Sequence, residues 1–239
     1  MKNIIKNYEI VHDLIQTAAV PRGTSAAPKY LFPYIFDNNT ENIQVLDIGF
    51  GDGSFGRMIK NTQETSHWSV DGIDGFEPNC NNPPLFNDKI YRNIWHGLAQ
   101  DIPSEQYKNY DLICLLDVIE HVDAETAKWL LRTLLSSMND NAYLFISTPL
   151  WFYPQDSIQK SDLEEHLIGI PASSMMALLP KLYSITEPLI GGFVLGKKSL
   201  DYIEFFQPTT NKNFSYEMGV EIAKAVNCEY KPGFYIKMW

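Results

Sequence analysis

The stretch VLDIGFGDGSFG, residues 45–56, places a run of glycines directly after a short apolar segment. Glycines at such a point let the backbone approach a bound ligand closely. Read from Gly51, GDGSFG satisfies the GxGxxG spacing by which a loop and helix N-terminus cradle a dinucleotide's pyrophosphate. Asp47, just before Gly49, argues for a different ligand. A carboxylate at the end of the first strand repels a diphosphate. It suits a ligand with an ammonium group and no phosphate, as in a methionine-derived sulfonium. The plainer alternative is that Asp47 only caps the turn.

The elements around this loop follow an alternating pattern. VLDIG is a short buried strand, and the glycines lead into a helix near residues 54–61. WSVDGID and DLICLLD (111–117) are further apolar strands. Asp123 is a fitting N-cap for a helix with Ala127, Leu130, Leu131, Leu134 and Met138 on one face. AYLFIS (142–147) is another buried strand. This alternation specifies an α/β fold, Rossmann-like and doubly wound, with a mostly parallel sheet and helices on both faces. Ligands then sit beyond the carboxyl ends of the strands. Before this core, Ile4, Tyr8, Val11 and Ile15 recur at helical spacing, AVPRGTSAAP reads as a loop, and 29–37 as a short helix. After it, WFYPQDSIQKSDLEEH reads as a long loop with some helix, 172–179 as a helix and 182–195 as two strands. Phe214, Met218, Ile222 and Ala225 mark a last helix, followed by the strand-like GFYIKMW. The expected division is an N-terminal helical cap (1–43), a cofactor-binding core (44–198) and a C-terminal extension packed on the core (199–239).

The chain has 239 residues, 45% of them hydrophobic, enough for a sizeable core. Its net charge of −10, with no basic cluster beyond Lys197–Lys198, disfavours nucleic acid as partner. The three cysteines lack a CxxC spacing, which fits a reducing, cytoplasmic setting rather than a disulfide scaffold or zinc site. The opening MKNIIKNYEIVHDLIQ carries charges throughout, so no secretory leader is expected, and no stretch is apolar enough to span a bilayer.

VLDIGFGDGSFG resembles the first motif of class I S-adenosylmethionine (SAM)-dependent methyltransferases. The resemblance continues in order through GIDGFEP, YDLICLLDVIEHVD and YLFISTP, over roughly residues 44–195. It implies SAM as cofactor and S-adenosylhomocysteine as product. It implies that Gly49, Gly51 and Gly53 line the methionine part, with Asp47 near the amino group. Asp74 would accept from the ribose hydroxyls, since one carboxylate can serve two donors. Phe76 would pack on the adenine, and Ala99 and Asp117 would complete the cofactor site. Relatives often carry an acid after the third strand; here HGLAQD (96–101) puts Leu98 there, leaving Gln100, Asp101, or backbone and water to meet the adenine amine.

Methyl transfer from a sulfonium needs alignment, exclusion of water and, for a hydroxyl acceptor, help with its proton. Asp117, Glu120, His121 and His166 are the groups available. His166, in the E-x-H-L setting of EEHL, is the first choice as base and His121 the second; the bland reading of Glu164–His166 is a solvated helix face. Trp151, Phe152 and Tyr153 either fill core beneath the C-terminal part or wall an acceptor pocket, where Gln155 would orient a hydroxyl. No metal site assembles from spacing alone, Asp117 and Asp123 included. The expected reaction is methyl transfer to an oxygen of a polar small molecule such as a sugar or glycan precursor. The alternatives are a nicotinamide-dependent oxidoreductase and a non-catalytic SAM-binding module. The C-terminal part would close the acceptor pocket or form a contact in a homo-oligomer.

Overall fold

In the computed structural model the described residues are 36, 42–157, 162–186, 189–225 and 234–238. The expected helices within 1–43 lie outside them. β1 (Gln44–Ile48) runs through the glycine loop into α1 (Ser54–Asn61), the helix expected there. β2 (Ser69–Asp74) is followed by the short helices α2 (Glu77–Cys80) and α3 (Pro83–Asn87), then β3 (Asn93–His96). β4 (Leu112–Leu116) leads into α4 (Ala124–Ser137), and β5 (Tyr143–Pro149) follows. Asp123 does cap α4: its carboxylate accepts from the Thr126 amide at 2.9 Å. Ala127, Leu130, Leu131, Leu134 and Met138 are all buried.

α5 (Ala172–Met176), β6 (Leu182–Thr186), β7 (Ile190–Leu195), α6 (Tyr216–Ala225) and β8 (Phe234–Met238) complete the chain. The eight strands form one sheet in the order β3-β2-β1-β4-β5-β7-β6-β8. The first five are parallel, and the pairs β5–β7, β7–β6 and β6–β8 are antiparallel. The antiparallel edge has a simple cause. Only residues 187–189 join β6 to β7, and a parallel crossover needs on the order of a dozen residues.

Both faces of the sheet are covered, which is why β4 is apolar throughout and β1 and β5 are mostly so. Alternate residues enter separate cores. Leu46, Ile113, Leu115, Leu144 and Ile146 pack with α4, whereas Val45, Cys114, Leu116 and Phe145 pack with Phe55 and Ile59 of α1. Two expectations need correction. No helix occurs at the described positions of 151–166. The buried side of α6 is Gly219 and Ala223, while Met218 is 47% exposed. Gly219 sits against the Leu150 carbonyl, so the helix approaches on its smallest residue rather than its largest.

Beneath the site, Asp71 of β2 is buried and accepts from Arg92 Nε at 2.9 Å, Asn93 Nδ2 at 2.9 Å and Tyr110 Oη at 3.0 Å. This cluster joins β2 to the entries of β3 and β4. Asp71→Ala leaves the buried Tyr110 hydroxyl and one side of Arg92 without an acceptor. It should cost about 2–4 kcal/mol of stability in chemical denaturation.

Candidate active site

The parallel strands end on one edge, and there the polypeptide opens into a cavity of about 360 Å³. Three neighbouring strands, β2, β1 and β4, each bring an aspartate to its wall: Asp74, Asp47 and Asp117. Asp47 is almost wholly buried and accepts from Tyr91 Oη at 2.7 Å. Burial and the neighbouring Asp47 push the Tyr91 hydroxyl well above its ordinary pKa, so it stays a donor. Asp74 accepts from the Gly51 amide at 2.8 Å through one oxygen, and from the Phe76 amide at 2.8 Å through the other. It thereby ties the glycine loop to the end of β2. Asp117 accepts from Ser147 Oγ at 3.2 Å and lies in the left-handed region at φ 58. Strain of that kind in a non-glycine residue is commonly found at working sites.

The glycines divide their labour. Gly49 and Gly51 line the cavity; Gly53, expected to do so, does not. A Cβ on Gly53 would stand 2.4 Å from Leu85 Cδ2, and one on Gly56 would stand 2.7 Å from Tyr91 Oη. These two glycines make room for the ring that holds Asp47. Tyr91 is a residue the sequence reading missed, since nothing in its neighbourhood marks it out.

On the cavity's far side, Ala99 and Gln100 are lining residues, but Phe76 is not. The apolar cover comes instead from Leu98 and Leu163, which close over Gly75 from both sides. Leu163 too was missed, because it comes from the long loop. Asp101 is engaged elsewhere, accepting from the Leu98 amide at 2.7 Å. Among the described residues no lysine or arginine lines the cavity. An acidic wall without cations fits a ligand bearing a positive charge and hydroxyls, and does not fit a pyrophosphate.

The residues matched by a known family agree. The family model described as a methyltransferase domain matches residues 20–174. The chain belongs to the SAM-dependent methyltransferases of class I. Its cofactor is SAM. No curated protein sequence matches it. Among solved structures, the mitomycin 7-O-methyltransferase MmcR is 14% identical, with a TM-score of 0.45 over 65% of this chain and 49% of that one. PKMT2 from Rickettsia typhi is 23% identical, with a TM-score of 0.38 over 44% of this chain and 21% of that one. The magnesium protoporphyrin IX methyltransferase of Synechocystis PCC 6803 is 19% identical, with a TM-score of 0.37 over 51% of this chain and 54% of that one. The chain thus spans between about a fifth and about half of these proteins' lengths. No helix among the described residues of this methyltransferase is long and apolar enough to cross a membrane.

Beyond the carboxylates lies a second polar group. Glu120 and His121 sit on a tight turn, Ile119–His121, after β4. His166 arrives from the loop after β5. Backbone bonds hold it there: the Leu167 amide donates to the Glu120 carbonyl at 2.9 Å, and the His166 amide to the Gln155 carbonyl at 3.0 Å. The two imidazole rings meet edge to face at 4.6 Å. His121 lines the cavity; His166 is packed behind it at 5% exposure and is no solvated helix face. Burial pushes His166 down to about 4, with His121 adding to the effect and the Tyr153 carbonyl and Asp117 opposing it. Gln155 does not face the cavity; its amide donates to the Glu164 carbonyl at 2.8 Å. Of the aromatic triplet, Phe152 is buried and Trp151 packs edge-on against Tyr216 of α6, so both fill core. Tyr153 alone is exposed, at 40%, beside His166.

Gly49 offers the sharpest local test. Its φ is +70, and an added Cβ would stand 2.5 Å from Val118 Cγ2. Gly49→Ala should lose about 2–4 kcal/mol in thermal or chemical unfolding, from left-handed strain and overpacking together.

Proposed function

We propose that this methyltransferase moves the methyl group of SAM to an oxygen of a polar small molecule, of the sugar or glycan-precursor kind. The observation that carries the reading is the pairing of two unlike walls in one cavity. The carboxylates and glycine loop form one, and His121, with Glu120 and His166 behind it, forms the other.

SAM, when bound, supplies an already activated methyl group on a sulfonium. The residues of the chain then have three tasks. Asp47, held by Tyr91, would meet the amino group, and Asp74 would accept from the ribose hydroxyls while keeping Gly51 in place. Gly49 and Gly51 keep this wall free of side chains, so backbone would meet the methionine part. Leu98, Leu163 and Ala99 cover the adenine end and exclude water. On the acceptor side, His121 touches the substrate and, with its partners, stabilises the oxygen once its proton is lost. His166 is a positioning residue, acting through His121. The exposed ring of Tyr153 offers a flat apolar face to a sugar. The described residues from 199 on form an extension packed on this core through Ile203, Phe206 and Ala223.

Asp47→Asn keeps an acceptor for Tyr91 and removes the charge. Calorimetric titration should show SAM binding about 10–100-fold weaker, with the unfolding midpoint little changed. Unaltered affinity would remove the reason for placing the ammonium there. His121→Ala should lower kcat about 100-fold against an oxygen acceptor while the SAM dissociation constant stays the same. Turnover of labelled methyl groups across a panel of sugars and other hydroxyl compounds identifies the acceptor class.

A further inference from the structure

We propose that Glu120, His121 and His166 form a binding site for a divalent first-row transition-metal ion at the acceptor wall of the cavity. Ligands close together in the chain assemble no metal site. The fold supplies a set from two separate segments. One ligand atom from each of the three residues lies within 4.8 Å of the others. Ligands about 2.1 Å from a shared tetrahedral ion stand about 3.4 Å apart. Closing on an ion therefore takes up to about 0.8 Å of movement by each ligand atom.

The hydrogen bonds around the two rings provide an independent argument. His166 Nδ1 lies 2.8 Å from the Tyr153 carbonyl, and His121 Nδ1 lies 3.2 Å from the Glu165 carbonyl. A carbonyl oxygen can only accept, so each Nδ1 carries the hydrogen and donates. Each Nε2 is then left with its lone pair. A metal-binding imidazole has this arrangement: one nitrogen donates to a backbone carbonyl or carboxylate, which fixes the ring and leaves the other for the ion. The burial of His166 disfavours a competing proton on its ring. Glu120, only 2% exposed, supplies the negative charge that a dication needs.

Two imidazoles and one carboxylate form a mixed nitrogen–oxygen set suited to Zn²⁺, Fe²⁺, Mn²⁺ or Co²⁺, and it leaves coordination positions open. His121 is the member that lines the cavity, so the open side faces the acceptor. This deepens the proposed oxygen methylation, with His121 acting on the acceptor through the ion, and rests on that reading for the acceptor's position. An acceptor hydroxyl ligated there loses its proton to solvent more readily and is held in a fixed direction.

The test measures binding, not turnover. The full chain is freed of metal with a chelator, dialysed, and titrated with Zn²⁺ or Co²⁺ by calorimetry, without SAM or acceptor. One ion per chain should bind with a dissociation constant in the micromolar range or below. Co²⁺ should give visible absorption bands of low-symmetry coordination. His166→Ala and Glu120→Gln should each weaken binding at least 100-fold, with folding checked by circular dichroism. His67→Ala, remote from the cluster in sequence, should leave it unchanged. Asp47→Asn should weaken SAM binding yet keep the metal, so the two readings can fail separately. Absence of saturable binding up to millimolar metal overturns the site. So does wild-type affinity in the folded His166→Ala and Glu120→Gln variants, or loss of binding in His67→Ala.

Discussion

Three aspartate side chains stand on three adjacent strand ends, roughly 5 Å apart between strands, at the mouth of a largely buried sheet. Carboxylates so close together are tolerable only where donors reach them, and much of the local structure consists of those donors. Tyr91 reaches Asp47, two backbone amides reach Asp74, and Ser147 reaches Asp117. The same row makes the cavity selective. A cationic ligand with hydroxyl groups relieves the crowding of negative charge, and a phosphate would aggravate it.

The glycine loop answers to this constraint on both of its sides. Toward the cavity, Gly49 and Gly51 let backbone form the wall. Toward the core, Gly53 and Gly56 leave space for Leu85 and the Tyr91 ring, without which Asp47 would lack its phenol donor. Gly72 on β2 receives the other edge of the same ring and Phe50. A motif that looks like a ligand-binding signature is therefore half a packing device. Asp74 couples the halves, since its bond to Gly51 fixes the loop to the neighbouring strand.

The acceptor wall is built differently. Its members come from a turn after β4 and a loop after β5, and backbone bonds between Glu120 and Leu167 bring them together. No helix or strand runs through His166 itself; its place is set by the Tyr153 and Gln155 carbonyls on a segment that α6 and the Phe214 carbonyl hold down. The C-terminal residues thus reach the site through the strap they pin, without contributing a lining side chain among those described.

The sequence alone settled what depends on near neighbours. Apolar runs marked the strands, Asp123 marked the start of α4, and the glycines after Asp47 marked the ligand edge, because each is decided within a few residues by sterics and hydrogen bonding. It pointed to Gly53, Phe76 and Gln155, whose types suit a ligand but which do not line the cavity. It could not show Tyr91 and Leu163 at the site, nor that His166 is buried against His121. Those facts belong to the tertiary structure, since residues distant along the chain acquire a shared environment only when the sheet closes and the loop after β5 is drawn across its edge.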